Sequence, residues 1–219
     1  MKILGIYGAS GLGREVLELA MIINKKEKRW DNYIFIDDGD VPPIVQGCNV
    51  YKYEAAKRQF SETLEIAMGI GEPTTRGKLF QKIKNDNISL PSLIHPDVYI
   101  PETTTIGKGV IIQTGCFVSV NIQIKDYVML QPKSSVGHDC VLDEGAIIST
   151  FDSIAGAVHI GKYTYLGMSV SVKELTRIGD YSIIGMGSVV VKDIPDEMIA
   201  IGNPARPMKK NEERHVFKH

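Results

Sequence analysis

The sequence predicts two structural regimes in one chain: a small parallel α/β sheet over residues 1–91, then a parallel β-helix over residues 92–192. A C-terminal cap and tail, 193–219, follow. Three observations predict this. Strand-like apolar runs alternate with helical patterns up to about residue 90. The pattern then changes abruptly. From Ile94 to Val190 an Ile, Leu or Val occupies every sixth position, seventeen times without a miss. Neither a helix nor an ordinary strand repeats at six, whereas β-helices do.

The elements follow in order. "ILGIYG" reads as a buried strand, and "SGLGREVLELAMIINKK" as a helix with Leu12, Val16, Leu19 and Ile23 on one face. "NYIFIDDG" is a second strand closing on Asp37 and Asp38. "YEAAKRQF" suggests a helix, "LEIAMGIG" a third strand and "PTTRGKLFQKIKND" a further helix. In the repeat, each hexapeptide supplies one short side and a turn, so three of them close a triangular coil of about 18 residues. The sixth-position aliphatics point inward, and main-chain hydrogen bonds join successive coils at about 4.8 Å. Four positions after each aliphatic sits mostly a small or β-branched residue, such as Val98, Thr104, Val110 or Cys116; Asp152 is the exception, without a sequence-level account. "VVKDIPDEMIAIGNPARP" reads as a loop covering the open edge of the last coil. "NEERHVFKH" reads as a polar, frayed end.

Composition narrows the function. The 25 basic and 26 acidic residues nearly cancel, so no broad field favours nucleic acid or an anionic membrane. The opening "MKILGIYGASG" is too short for a signal peptide or a membrane span, and no later apolar segment is longer. Cys48, Cys116 and Cys140 show no CxxC spacing, which argues against a disulfide framework or a zinc knuckle. A reduced, cytoplasmic compartment follows as the simplest expectation.

Two stretches carry chemistry. In "SVGHDCVLDEG", His138 lies one coil, 18 residues, from Gly156, so a surface imidazole faces bare main chain. Histidine titrates near neutrality and suits a general base, and the Gly156 N–H can hold a developing oxyanion. Adjacent side chains on a strand face opposite ways, which leaves open whether Asp139 orients the ring. His159 stands 21 residues from His138, off the stack, and His95, His138 and His159 do not converge as zinc ligands, so no metal is expected. In "GASGLG", Gly8, Ser10 and Gly11 lead from a strand into a helix N-terminus that favours phosphate. The dinucleotide fingerprint is broken, because its second glycine is Ser10. Asp37 and Asp38 end a strand where α/β sheets bind nucleotides. Gly71 and Arg76 are further candidates near the third strand.

The repeat resembles that of the bacterial hexapeptide acyltransferases, whose prisms wind left-handed against the usual crossover rule. More narrowly, "YGASGLG", "FIDD", "GIG", "VGHDC" and "IGNPARP", in that order, resemble the sialic acid O-acetyltransferase (NeuD-type) and pilin-glycan acetyltransferase (PglD-type) family. The likeness spans all but the final nine residues. It implies a Rossmann-like N-terminal half that holds a nucleotide-sugar acceptor, with the glycine loop at the pyrophosphate and the aspartates near base and ribose. It also implies a left-handed β-helix, a homotrimer with its site between two prisms, and acetyl-CoA as cosubstrate. His138 would be the catalytic base, and Asp139 stands where the pilin-glycan enzymes carry a glutamate. In the cofactor groove, Gly156 and Gly185 would meet the pantetheine amides beside Met168, while Lys192 and Arg206 would meet phosphates. Two positions depart from the family: Ile147 and Leu12, where its members often carry histidine. The expected activity is cytoplasmic, acetyl-CoA-dependent acylation of an amino or hydroxyl group on an activated sugar in bacterial glycan synthesis. Sialic acid O-acetylation and a non-catalytic nucleotide-sugar-binding role stay open beside it. The broken fingerprint disfavours a nicotinamide oxidoreductase.

Overall fold

The computed structural model describes residues 1–217. The N-terminal elements are β1 (Ile3–Tyr7), α1 (Gly11–Glu27), β2 (Asn32–Ile36), β3 (Ile44–Val45), β4 (Cys48–Tyr51), α2 (Tyr53–Phe60), β5 (Leu64–Met68) and α3 (Pro73–Asn85). The sheet order is β3-β4-β2-β1-β5, and β1, β2, β4 and β5 run parallel. The β3–β4 hairpin lies outside the sequence expectation. Its turn places Gln46 and Gly47 at φ 46° and 76°, the conformation a tight two-residue hairpin requires. Close approach of α1 to the β1 loop depends on Gly13, where a β-carbon would fall 1.8 Å from the Gly8 carbonyl oxygen.

The repeat forms a left-handed parallel β-helix. Among the described residues, short strands run from β6 (Leu93–Ile94) to β21 (Val189–Val190), each two residues long. They stack into three faces, with Met129 registered between Ile111 and Ile147, 18 residues either way. The first face holds β8 (Ile111–Ile112), β11 (Met129–Leu130), β14 (Ile147–Ile148), β17 (Tyr165–Leu166) and β20 (Ile183–Ile184). The second holds β12 (Ser135–Val136), β15 (Ser153–Ile154) and β18 (Ser171–Val172), and the third β13 (Val141–Leu142) and β16 (His159–Ile160). The sixth-position aliphatics from Ile112 to Val190 form one buried column, while Ile94, Ile100 and Ile106 at the open first coils are only partly buried.

Asp152 stitches coils together. Its Oδ2 accepts the Ser149 N–H at 2.6 Å, and its Oδ1 accepts the Val170 N–H of the next coil at 2.8 Å. Thr104 does the same for the Ile122 N–H. A side-chain oxygen at this inward position substitutes for a main-chain acceptor, which is why a polar residue is tolerated there. Burial pushes the Asp152 carboxyl up to about 8, against the pull of its two N–H donors.

The N-terminal sheet docks on the first face. Outward residues Leu93, Ile111, Met129 and Ile147 join Leu4, Val16, Leu17 and Ala20 in one buried cluster. Each such side chain contributes about 1.5–3 kcal/mol on burial, so the junction is a true core. Arg76 corrects an expectation here. It contacts no open pocket; it is fully buried, with Nη1 donating to the Met68 and Ile70 carbonyls and Nη2 to the Tyr127 carbonyl across the junction.

β22 (Met198–Gly202) extends the first face beside β20, and β23 (Ala205–Lys210) folds antiparallel onto it. The tail is not frayed as its composition suggests. The Asn211 side chain donates to the Tyr181 carbonyl, Arg214 stacks over the Tyr181 ring, and the Thr74 hydroxyl donates to the Arg214 carbonyl at 2.7 Å. The Glu72 carboxylate then accepts the Val216 and Phe217 N–H groups. Main-chain partners, which composition does not reveal, order this segment. The rest of the frayed expectation, 218–219, lies outside the described residues. Among those described, no helix is long and apolar enough to cross a membrane.

Candidate active site

The chain leaves the second face after Val136 and enters the third at Val141, so residues 137–140 form a corner. Gly137 makes the coils fit: a β-carbon there would lie 2.7 Å from the Gly156 nitrogen. Asp139 takes φ 60°, and this left-handed turn breaks the strand alternation that would part neighbouring side chains. His138 Nδ1 therefore lies 2.7 Å from Asp139 Oδ2. Asn121, one coil earlier, donates to the other oxygen at 3.1 Å. The His138 contact and then the Asn121 amide hold the Asp139 carboxyl below the usual carboxylate range.

With Nδ1–H donated to Asp139, the neutral imidazole presents the Nε2 lone pair. That nitrogen sits over Gly156, where a β-carbon would come within 2.6 Å of both Nε2 and Cε1. Among the described residues the Gly156 N–H donates to no main-chain carbonyl. The His138 and Asp139 side chains are 62% and 52% exposed, so a ligand can reach them. An oriented base, an uncommitted main-chain donor and open access are what acyl transfer requires.

His159 shows the contrast. Its Nε2 lies 2.6 Å from Asp143, and its Nδ1 meets the Arg177 guanidinium at 2.7 Å. Both ring nitrogens are occupied, so no free base remains.

The remaining candidates divide. Gly156 and Lys192 share His138's edge, one and three coils further along. Met168 sits on the edge between the first and second faces and is half-exposed. Gly185 lies on that same edge. Its N–H donates to the Ala200 carbonyl at 2.8 Å and the Ile201 side chain packs beside it, so only its carbonyl remains to meet a pantetheine amide. Arg206 is exposed on β23. Ile147 is buried under the N-terminal sheet, on the face away from His138 in the same chain.

A second site opens at the glycine loop. A pocket of about 430 Å³ is lined by Gly8, Ser10, Asp37, Gly71 and Thr75, with Glu72, His215 and Phe217 from elements that sequence reasoning passed over. The only sequence hints of these were Glu72 before a helix-starting proline and one aromatic in a polar tail. Ser10 makes no side-chain cap to α1, leaving the first-turn N–H groups beyond Gly11 available to an anion. Asp37 braces the loop, accepting the Ala9 and Gly39 N–H groups at 2.9 and 2.8 Å. Asp38 corrects another expectation: both its oxygens are taken, one by the Tyr7 hydroxyl and one by the Tyr53 N–H, so it anchors the sheet. Burial acts to raise its carboxyl, but those two donors, together with the Lys82 and Lys52 charges, hold it below the usual range. Leu12 and Phe217 both flank Gly71 at the apolar end of the pocket.

This pocket lies beside the first face, where Phe217 meets Tyr165 of β17. His138 lies on the opposite edge of the prism, so one chain does not bring pocket and base together.

Comparison with known proteins fits this two-part layout. A family model described as the PglD N-terminal domain matches residues 3–83. Over 108 residues the chain is 35% identical to an acyl-[acyl-carrier-protein]–UDP-N-acetylglucosamine O-acyltransferase of Burkholderia mallei (strain SAVP1). That match takes in 49% of this chain and 39% of the relative, so the chain spans about two fifths of the length of the curated relatives it matches. The acetyltransferase domain of PglB from Neisseria gonorrhoeae FA1090, in complex with acetyl coenzyme A, superposes with a TM-score of 0.88 at 30% identity, over 94% of this chain and 99% of that one. PerB from Caulobacter crescentus, in complex with CoA and GDP-perosamine, superposes with a TM-score of 0.87 at 27% identity, over 95% and 98%.

Proposed function

The chain belongs to the sugar acetyltransferase family of the PglD type, and from that premise we propose that it transfers an acetyl group from acetyl-CoA to an amino group of a nucleotide-linked sugar. The observation that carries this reading is the His138 ring, oriented by Asp139 and poised over the free Gly156 N–H. As the acceptor nitrogen attacks the thioester carbonyl, its proton passes to His138 Nε2. The Gly156 N–H holds the oxyanion that forms. When the intermediate collapses, the C–S bond breaks and the imidazolium returns its proton to the leaving CoA sulfur. Met168, Lys192 and Arg206 are the chain's candidates for contacts along CoA.

The acceptor's diphosphate belongs at Gly8, Ser10 and Gly11, against the α1 N-terminus. Because that pocket and His138 lie on opposite sides of one prism, an acceptor held by one copy meets the base of another. The His138 edge and the Met168 edge both border the second face, whose exposed Phe117 suits burial between copies. A homotrimer working in the cytoplasm on sugars for a bacterial glycan accounts for these features together. The test is mass spectrometry after incubation with acetyl-CoA and UDP- or GDP-linked amino sugars. The expected result is one acetyl group added to at least one acceptor; no acetylated product across the panel would overturn the reading.

A further inference from the structure

We infer that residues 212–217 form a wall of the acceptor pocket, with Glu72 as its latch and with His215 and Phe217 as acceptor-contacting residues. The inference rests on the proposed nucleotide-sugar reading of that pocket.

Four observations carry it. The segment crosses from the last coils to the α3 N-terminus, held at Tyr181 by Arg214 and Asn211 and at Thr74 by the Arg214 carbonyl. It ends on a single side chain: Glu72 Oε2 accepts the Val216 N–H at 2.9 Å and the Phe217 N–H at 3.2 Å, and His215 Nδ1 lies 3.5 Å away. Glu72 is itself 9% exposed, and its other oxygen, Oε1, is buried with no partner among the described residues.

The segment also lines the pocket without filling it. With His215 and Phe217 in place the cavity still measures about 430 Å³, enough for much of a nucleotide-sized ligand. Phe217 is half-exposed, its ring packed edge-on against Tyr165 and lying beside Gly71. A flat aromatic at the apolar end of the pocket suits the face of a nucleobase. Gly8 and Ser10 line the same pocket and offer the α1 N-terminus to a diphosphate. The ligand class this arrangement fits is a nucleoside diphosphate: base toward Phe217, phosphates toward Ser10.

The experiment uses three chains: the full chain, a chain ending at Asn211, and Phe217→Ala in the full chain. Each is titrated with UDP, GDP and, separately, CoA by calorimetry. Keeping Asn211 preserves its contact with Tyr181, and unchanged CoA binding shows that a truncated chain is folded. The expected result is that whichever nucleotide the full chain binds is bound at least tenfold more weakly by the truncated chain. Phe217→Ala should lose several-fold, and CoA affinity should be the same in all three. Equal or tighter nucleotide binding after truncation overturns the wall while leaving the acceptor reading intact. If the full chain binds neither UDP nor GDP, the acceptor reading fails and the wall fails with it.

Discussion

Replacing His138 by alanine is expected to lower kcat by about 10²–10⁴-fold, the usual contribution of a general base, with acceptor and CoA affinities unchanged. The argument is geometric. Among the described histidines of the prism, His138 has one nitrogen held by a carboxylate and the other uncommitted over bare main chain. His159 has both nitrogens occupied and cannot replace it. The ring is mostly exposed, so its removal opens no core cavity and stability should change little. Initial rates at saturating acetyl-CoA, with thermal unfolding measured alongside, check both halves. A variant that unfolds like the parent and turns over at the parental rate would remove His138 as the base.

Arg76→Ala is expected to be the most damaging single change to stability, by about 3–5 kcal/mol, because each stranded buried carbonyl costs about 1–3 kcal/mol and the emptied volume adds a cavity cost. Three main-chain carbonyls lose their donor, at Met68, Ile70 and Tyr127, and a large volume empties between α3 and the prism. Burial lowers the guanidinium to about 10, so it still carries its charge at neutral pH, and those carbonyl dipoles are what compensate the charge. Arg76→Met refills much of the space but donates nothing, so it should recover part of the loss only. Denaturant unfolding measures both variants. A loss for Arg76→Ala no larger than a surface substitution gives would show that the carbonyls find other donors.

What could be read from the sequence follows from how local each cause is. The hexapeptide column from Ile112 to Val190 was legible because each coil repeats the same inward position. The pairing of His138 with Gly156 followed from the same arithmetic, since coil length fixes which residues stack. The contact of His138 with Asp139 was not legible, because it depends on the left-handed turn at Asp139. Arg76 read as a site candidate because nothing local showed that carbonyls at Met68, Ile70 and, 51 residues away, Tyr127 already hold it. Asp38 read as a ligand contact because nothing local showed that Tyr7 and Tyr53 already occupy it. The ordered tail was hidden for the same reason, since its partner Glu72 is 144 residues from Val216.

The account's central claim is that base and acceptor pocket come from different copies, and mixed assemblies test it most directly. One parent carries His138→Ala. The other carries Ser10→Glu, which places a carboxylate where the diphosphate should sit, at an exposed residue whose side chain makes no cap. Each parent alone should be nearly inactive. Co-expressed with two different tags and purified through both, the mixed assembly should regain a substantial fraction of parental acetyl transfer, because intact pockets then face intact bases. Mixed assemblies no more active than either parent would mean that each chain works alone, contradicting the account.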